Sequence, residues 1–224
     1  MNDLYRIIGI GLITCVAVLV VKPARPDISL IIGITGGSGA GKTSAITALE
    51  ALGAKVVDCD VLYHELLSDN MELTAEINAH FNDVSTDGKI DRKKLGTIVF
   101  NNKDALLKLN RITHRFVTAE LIKRIDSFNA QNINTIAIDA IALIESGLGD
   151  MCDIVIGITA PLETRISRIL RRDQITREQA LMRISAQKPE NFFRENCDII
   201  LENIFDTPEA FVEHCKSCLN DLVE

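Results

Sequence analysis

Apolar residues along this chain fall into two rhythms. Short runs such as "SLIIGIT" (29–35), rich in isoleucine and stopped by glycines, read as buried strands. "AKVVD" (54–58), "NTIAIDA" (134–140), "CDIVIGITA" (152–160) and the shorter "DIILEN" (198–203) read the same way. Between them the period turns helical. From Lys42 to Leu52 the apolar residues Ala45, Ile46, Leu49 and Leu52 form a stripe. Residues 61 to about 127 are almost wholly helical in pattern, broken by the turn "STDGK" and the stop "NNKD". Pro161 opens a helix through Asp173, Thr176 caps the next with Glu178 nearby, and "TPEAFVEHCKSCLNDLV" is an amphipathic C-terminal helix. Strands alternating with helices predict right-handed crossovers and a parallel sheet of about five strands covered on both faces, a three-layer α/β/α domain.

The chemistry lies where the first strand meets the first helix. "GGSGAGKT" satisfies G-x-x-x-x-G-K-[ST] with Gly36, Gly41, Lys42 and Thr43, in the strand-to-helix context that gives the pattern meaning. Across Gly36, Gly37, Ser38, Gly39, Ala40, Gly41, Lys42, Thr43 and Ser44, backbone N–H groups can turn inward around a phosphate. Lys42 supplies a point charge to the β and γ phosphates, and the Thr43 hydroxyl is a ligand for Mg²⁺. The loop predicts ATP binding but not a reaction. A GTPase would carry N-K-x-D, whereas "NNKDA" has its aspartate one position too early.

The second strand ends at Asp58, which brings Asp58 and Asp60 to the carboxyl edge of the sheet. Read as an extended segment, it points both carboxylates the same way. One takes a proton from an acceptor hydroxyl, and the other holds Mg²⁺ through water or caps the helix "VLYHELL". For Asp58 capping and chemistry stand level, and for Asp60 catalysis is favoured. Asp139 ends an apolar strand as a Walker-B aspartate does. Arg165, Arg168, Arg171, Arg172, Arg177 and Arg183 fall in two consecutive predicted helices, with 165, 168 and 172 on one face. They read either as a cationic lid over ATP or as a solvated, salt-bridged hairpin.

From Leu30 onward the sequence resembles the dephospho-coenzyme A kinase family. The carriers are the loop Thr35 to Thr43, Asp58, Asp60 and His64, and then "GKIDRKKLGTIVFNN", "LNRITH", "IESGL", "CDIVI", "RILRRD" and "RISAQ" in order. The resemblance implies a P-loop kinase fold with a helical acceptor-binding region at about 61–127 and a lid at about 162–190. It implies phosphorylation of the ribose 3′-hydroxyl of dephospho-CoA by Mg·ATP, with Asp60 as general base and Arg171 and Arg172 in the lid. Asp58, His64, His114, Arg183 and Gln187 are expected at the acceptor, and Asn203 near the adenine of ATP. Two departures stand out: His114 is followed by Arg115 where many members have proline, and "DAIALIE" (139–145) lacks a proline but keeps both acids.

Composition narrows the setting. With 24 Lys+Arg against 31 Asp+Glu the net charge is −7, which argues against nucleic acid or anionic lipid as a general partner. Six scattered cysteines suit reduced thiols in a cytoplasm, and Cys215 and Cys218 beside His214 read as helix-face residues more than as metal ligands. Residues 1–28 read differently from the kinase domain at 29–224. "IIGIGLITCVAVLVV" (7–21) is uncharged, and Lys22 and Arg25 beyond it would keep the following domain cytoplasmic if it inserts. Residues 1–33 resemble the start of a stage III AD-type sporulation membrane protein. The segment is expected to be either a membrane anchor or an apolar tail, as a fused or misplaced start would give. Another small P-loop kinase, for a nucleoside, nucleotide or shikimate-like alcohol, and a membrane-tethered ATP-dependent switch are the competing readings.

Overall fold

The structure, a computed structural model, describes residues 29–86, 88–100 and 102–223. The apolar segment 7–21 and the appendage around it lie outside the described residues. The chain runs β1 (Leu30–Gly36), α1 (Lys42–Ala51), β2 (Lys55–Asp58), α2 (Cys59–Asp69), α3 (Met71–His80), β3 (Ser85–Thr86), β4 (Lys89–Ile90), α4 (Arg92–Phe100) and α5 (Lys103–Ala130). It continues through β5 (Thr135–Asp139), a 3₁₀ turn (Leu148–Met151), β6 (Ile154–Thr159), α6 (Leu162–Asp173), α7 (Arg177–Ser185), α8 (Glu190–Asn196), β7 (Ile199–Glu202) and α9 (Pro208–Val223). These elements form two compact units, one comprising residues 29–56 and 128–223 and the other residues 57–127.

The first unit is built on a five-stranded sheet in the order β2-β5-β1-β6-β7. β1 runs parallel to both neighbours, with Ile34 beside Asp139 of β5 and Gly36 beside Ile158 of β6. The two-residue period sends Leu30, Ile32 and Ile34, with Ile154, Ile156 and Ile158, onto one face, where Ala45, Ala48 and Leu49 of α1 and Phe211, Cys215 and Leu219 of α9 cover them. α1 thus packs through the stripe its spacing predicts. Burial pushes the Cys215 thiol to about 12, with Cys218 a smaller cause, so it stays a protonated core residue where a metal ligand would need a thiolate.

On the opposite face one local device is used twice. Cys152 and Cys197 each precede an aspartate at the entry to a strand, in "CDIVI" and "CDIIL". Asp153 donates its N–H to Ile31 O (2.8 Å) and accepts from Ile31 N through Oδ2 (2.7 Å). Asp198 does the same to Val155, at 2.9 and 2.7 Å. Each pair closes the backbone ladder one step before the strand begins. The cysteine sulfur shares the space over a glycine of the neighbouring strand with Leu143 Cδ2 at Gly33 and Ile200 Cδ1 at Gly157. A Cβ on Gly33 would lie 2.8 Å from Cys152 Sγ, and one on Gly157 2.8 Å from Cys197 Sγ.

In the second unit, Leu62 and Leu66 of α2, Leu73 and Ile77 of α3, and Leu109, Ile112, Val117, Leu121 and Ile125 of α5 are buried at helical spacing. The turn "STDGK" belongs to an antiparallel ribbon of β3 and β4. α8 has no counterpart in the periodicity reading, because at 7 residues it carries one buried apolar side chain, Phe193. Among the described residues no helix is long and apolar enough to cross a membrane.

Because a Cβ there would lie 2.8 Å from both Cys197 Sγ and Ile200 Cδ1, Gly157→Ala is expected to lower unfolding free energy by about 1–3 kcal/mol through overpacking. Urea denaturation should show this loss, and a smaller one in a Cys197→Ala background.

Candidate active site

β1 runs out at Gly36, and the next five residues turn the chain into α1. Gly39 (φ +77°) and Gly41 (φ +106°) hold the left-handed backbone this turn requires, and a Cβ on Gly39 would sit 2.6 Å from the Arg165 carbonyl oxygen. Gly41 is the N-cap of α1, and no side chain caps the helix there. The first-turn N–H groups and the positive end of the helix dipole are left to a ligand, which is the physical basis of an anion site.

The loop keeps this shape because its carbonyls are tied down from behind. Arg165 Nε donates to Ser38 O (2.9 Å), and Arg168 Nη1 donates to Gly39 O (3.2 Å) and Ala40 O (3.3 Å). Arg168 Nη2 reaches Asn203 Oδ1 (3.0 Å) and Phe205 O (2.9 Å), and Asn203 Nδ2 donates to Ala40 O (3.0 Å). Gln187 clamps Ser38 from both sides: its Oε1 accepts from Ser38 N (2.9 Å) and Arg165 Nη2 (3.0 Å), and its Nε2 donates to Ser38 Oγ (3.0 Å). Burial lowers the pKa of both Arg165 and Arg168 from the ordinary guanidinium value. The carbonyls replace part of the lost hydration, so two cations are held directly beneath a loop built for an anion.

Four of the sequence candidates have partners in or beside the loop. Arg165 and Arg168 face the loop, where the sequence placed them with Arg172 on one lid face. Gln187, expected at the acceptor, is committed to Ser38. Asn203, expected beside adenine, is 2% exposed and spends its amide on Ala40 and Arg168, although it also borders the cavity. No spacing rule announces these bonds, since the partners lie 149 and 163 residues apart.

In front of the loop lies a cavity of about 570 Å³, lined by the loop glycines, Lys42, Thr43, Ser44, Arg168, Arg171 and Arg172, with Asn203, Asp206 and Pro208 on its rim. Lys42 forms an ion pair with Asp139, the last residue of β5, which pins the ammonium at the loop. Thr43 is exposed beside it. Arg172 makes a two-point bond to Asp173 (2.7 and 2.9 Å) that raises its own pKa and lowers that of the carboxyl. Arg183 pairs with the same carboxylate. Arg177 is bound to Glu163 on the surface. Arg171 and Arg172 thus line the cavity, while Arg177 and Arg183 are engaged in ion pairs. Thr176 does cap α7, and its reciprocal partner is Gln179 instead of Glu178.

The dephospho-CoA kinase family (CoaE) matches residues 30–209. The chain belongs to the dephospho-CoA kinase family. A dephospho-CoA kinase of Latilactobacillus sakei is 31% identical over 86% of this chain and 94% of its own. One of Dehalococcoides mccartyi is 33% identical over 87% and 96%. Among solved structures, a Thermus thermophilus protein is similar with a TM-score of 0.73 at 29% identity, covering 87% of this chain and 98% of its own. A dephospho-CoA kinase of Campylobacter jejuni matches at 0.57 and 26%, covering 87% and 97%. The chain is thus a P-loop kinase of the final step of coenzyme A biosynthesis.

In this dephospho-CoA kinase family member, the remaining candidates lie in the unit of residues 57–127. The helix begins at Cys59, two residues before the expected start at Val61, so Asp58 and Asp60 do not share an extended segment. Asp58 is the N-cap of α2, its Oδ1 accepting from Asp60 N (2.8 Å) and Val61 N (3.0 Å). Asp60 stands exposed in the first turn. His64 Nε2 lies 3.1 Å from Arg92 Nη2, while its Nδ1 is buried with no hydrogen-bond partner among the described residues. His114 is exposed on α5.

Two substitutions separate charge from scaffolding. Lys42→Ala should cut turnover by about 10²–10³ while the fold survives, as circular dichroism and an activity assay would show together. Gln187→Ala leaves Ser38 without its clamp and should weaken ATP binding about tenfold in a nucleotide titration, with a smaller effect on saturated turnover.

Proposed function

We propose that this chain transfers the γ-phosphoryl group of ATP to the ribose 3′-hydroxyl of dephospho-CoA, with the phosphates of ATP on the glycine loop. The observation that carries the reading is the loop itself, with its N-terminal helix end uncapped, its carbonyls turned away onto Arg165 and Arg168, and Lys42 held at its end by Asp139. Such a surface is attractive to a polyphosphate before any ligand contact is added. Lys42, Arg171 and Arg172 then meet the charge that spreads over the transferred group, with Lys42 held by Asp139. Arg172 is oriented by Asp173 through two bonds, and Arg183 holds that carboxylate in turn.

Mg²⁺ suits this donor set. The exposed Thr43 hydroxyl would offer the ion one hard oxygen, and the ion would supply positive charge against the phosphates. Among the described residues no three histidine, cysteine or acidic side chains converge on a metal. The proton of the acceptor hydroxyl goes to Asp60 in this reading. Its carboxylate is exposed in a helical first turn whose N–H groups are already bonded by Asp58, so it is available to a hydroxyl. Asp58 serves that arrangement by capping, while His64 and His114 are assigned to the acceptor's phosphates. The cytoplasm, with its ATP and reduced thiols, is the compartment the reading requires.

The test is ADP release from Mg·ATP by a chain starting at Asp27, offered dephospho-CoA, adenosine, AMP, uridine and shikimate. Turnover confined to dephospho-CoA is the expected outcome, whereas turnover on another acceptor alone, or slow ATP hydrolysis with none, would overturn it. Asp60→Asn should lower kcat about 10²-fold or more with ATP affinity unchanged, and near-normal turnover would move the base elsewhere.

A further inference from the structure

Among the described residues that line the loop cavity, one alone is acidic. Lys42, Arg168, Arg171 and Arg172 bring positive charge to it, whereas Asp206 brings a carboxylate. Asp206 is exposed, and among the described residues no ion pair or hydrogen bond engages its side chain. Its backbone is nevertheless held on both sides. Phe205 O, one residue before, accepts from Arg168 Nη2 (2.9 Å), and Thr207 Oγ1, one residue after, accepts from Ala210 N (3.2 Å) at the start of α9. The guanidinium that ties down the phosphate loop thus also fixes the segment that carries this carboxylate.

A carboxylate repels a polyphosphate, so the end of a nucleotide that meets Asp206 is the end without phosphates. This step rests on the reading that ATP occupies the cavity. A carboxylate is an acceptor only, and what satisfies it is an N–H or O–H donor. The neighbouring amide does not compete for such a donor, because Asn203 spends Oδ1 on Arg168 Nη2 (3.0 Å) and Nδ2 on Ala40 O (3.0 Å). The donors that a nucleotide carries away from its phosphates are the 6-amino group of adenine and the ribose hydroxyls. Pro208 lines the cavity beside Asp206 with an apolar ring, a surface that suits a flat base and not a sugar.

We infer that Asp206 selects the base of the phosphoryl donor, accepting from a 6-amino purine and rejecting a 6-oxo purine. Rejection follows from the same chemistry. A 6-oxo purine presents an oxygen where adenine presents an N–H, and two acceptors set face to face have no proton to share. The glycine loop cannot make this choice, since every nucleoside triphosphate brings it the same phosphates.

The experiment titrates ATP, ITP and 2′-deoxy-ATP, each with Mg²⁺ and without acceptor, into wild type, Asp206→Asn and Asp206→Ala by calorimetry. Wild type is expected to bind ATP at least about tenfold more tightly than ITP. Asp206→Asn, whose amide donates as well as accepts, should bring the two within about twofold of each other, and Asp206→Ala should weaken ATP without weakening ITP. A preference for ATP that survives in Asp206→Asn, or equal weakening of ATP and ITP in either variant, would overturn the inference. So would a loss seen with ATP and absent with 2′-deoxy-ATP, which would move the carboxylate to the ribose. The titrations need no turnover, so a wild type inactive on dephospho-CoA would sink the assigned reaction while the ratio of ATP to ITP binding still decided the role of Asp206.

Discussion

The site depends on a single guanidinium. Arg168 bonds the carbonyls of Gly39, Ala40 and Phe205 and the amide oxygen of Asn203, which joins the loop to the segment after β7. A loop that binds an anion through its N–H groups has carbonyls that must point somewhere, and a carbonyl facing a phosphate would repel it. Arg168 and Arg165 resolve that conflict by taking the carbonyls on the other side. The two arginines also lose hydration, so their burial is tolerable only while the carbonyls are in place. Loop and arginines thus hold each other in one conformation.

That arrangement asks for rigid foundations, and the sheet supplies them. β1 carries the loop at its carboxyl end and is braced by β5 and β6 on either side. The entries of β1 and β6 are locked by the carboxylates of Asp153 and Asp198, and the cysteine beside each aspartate shares the volume over Gly33 or Gly157. Asp139 emerges at the same edge as the loop because its strand pairs in register with β1, which is how a residue 97 positions from Lys42 comes to meet it. Strand register, set by core packing, fixes the position of the charge.

The parts of the fold legible in the sequence are those written in local period. The alternation of Leu30, Ile32 and Ile34, the stripe through Ala45 and Leu49, and the glycine spacing of the loop all encode structure within a dozen residues. The parts not legible are long-range. Nothing near Gln187 or Asn203 in the sequence announces their bonds to Ser38 and Ala40, because an amide that binds a distant backbone is indistinguishable there from one that does not. A signal for the sheet's second device was present in the repeated Cys-Asp-Ile at 152 and 197, which periodicity does not register. At Asp58 the sequence left capping and chemistry level, and the structure shows the cap, with the carboxylate accepting from the second and third N–H groups of the helix.

The stretch from Pro161 to Lys188 then has two duties that constrain one another. Its inner residues, Arg165, Arg168 and Gln187, fix the loop, and its outer ones, Arg171 and Arg172, line the cavity in front of it. A rigid displacement of α6 large enough to carry Arg171 and Arg172 away would also break the bonds of Arg165 and Arg168 to the loop carbonyls, leaving half-buried guanidinium groups and loop carbonyls unpaired. Motion at low cost is therefore confined to the side chains beyond Arg168, and to the exposed hairpin end where Arg172 and Arg183 share Asp173. A side chain that rearranges about the Asp173 carboxylate leaves the bonds of Arg165 and Arg168 to the loop intact, so one short helix can hold the loop at one end and adjust at the other.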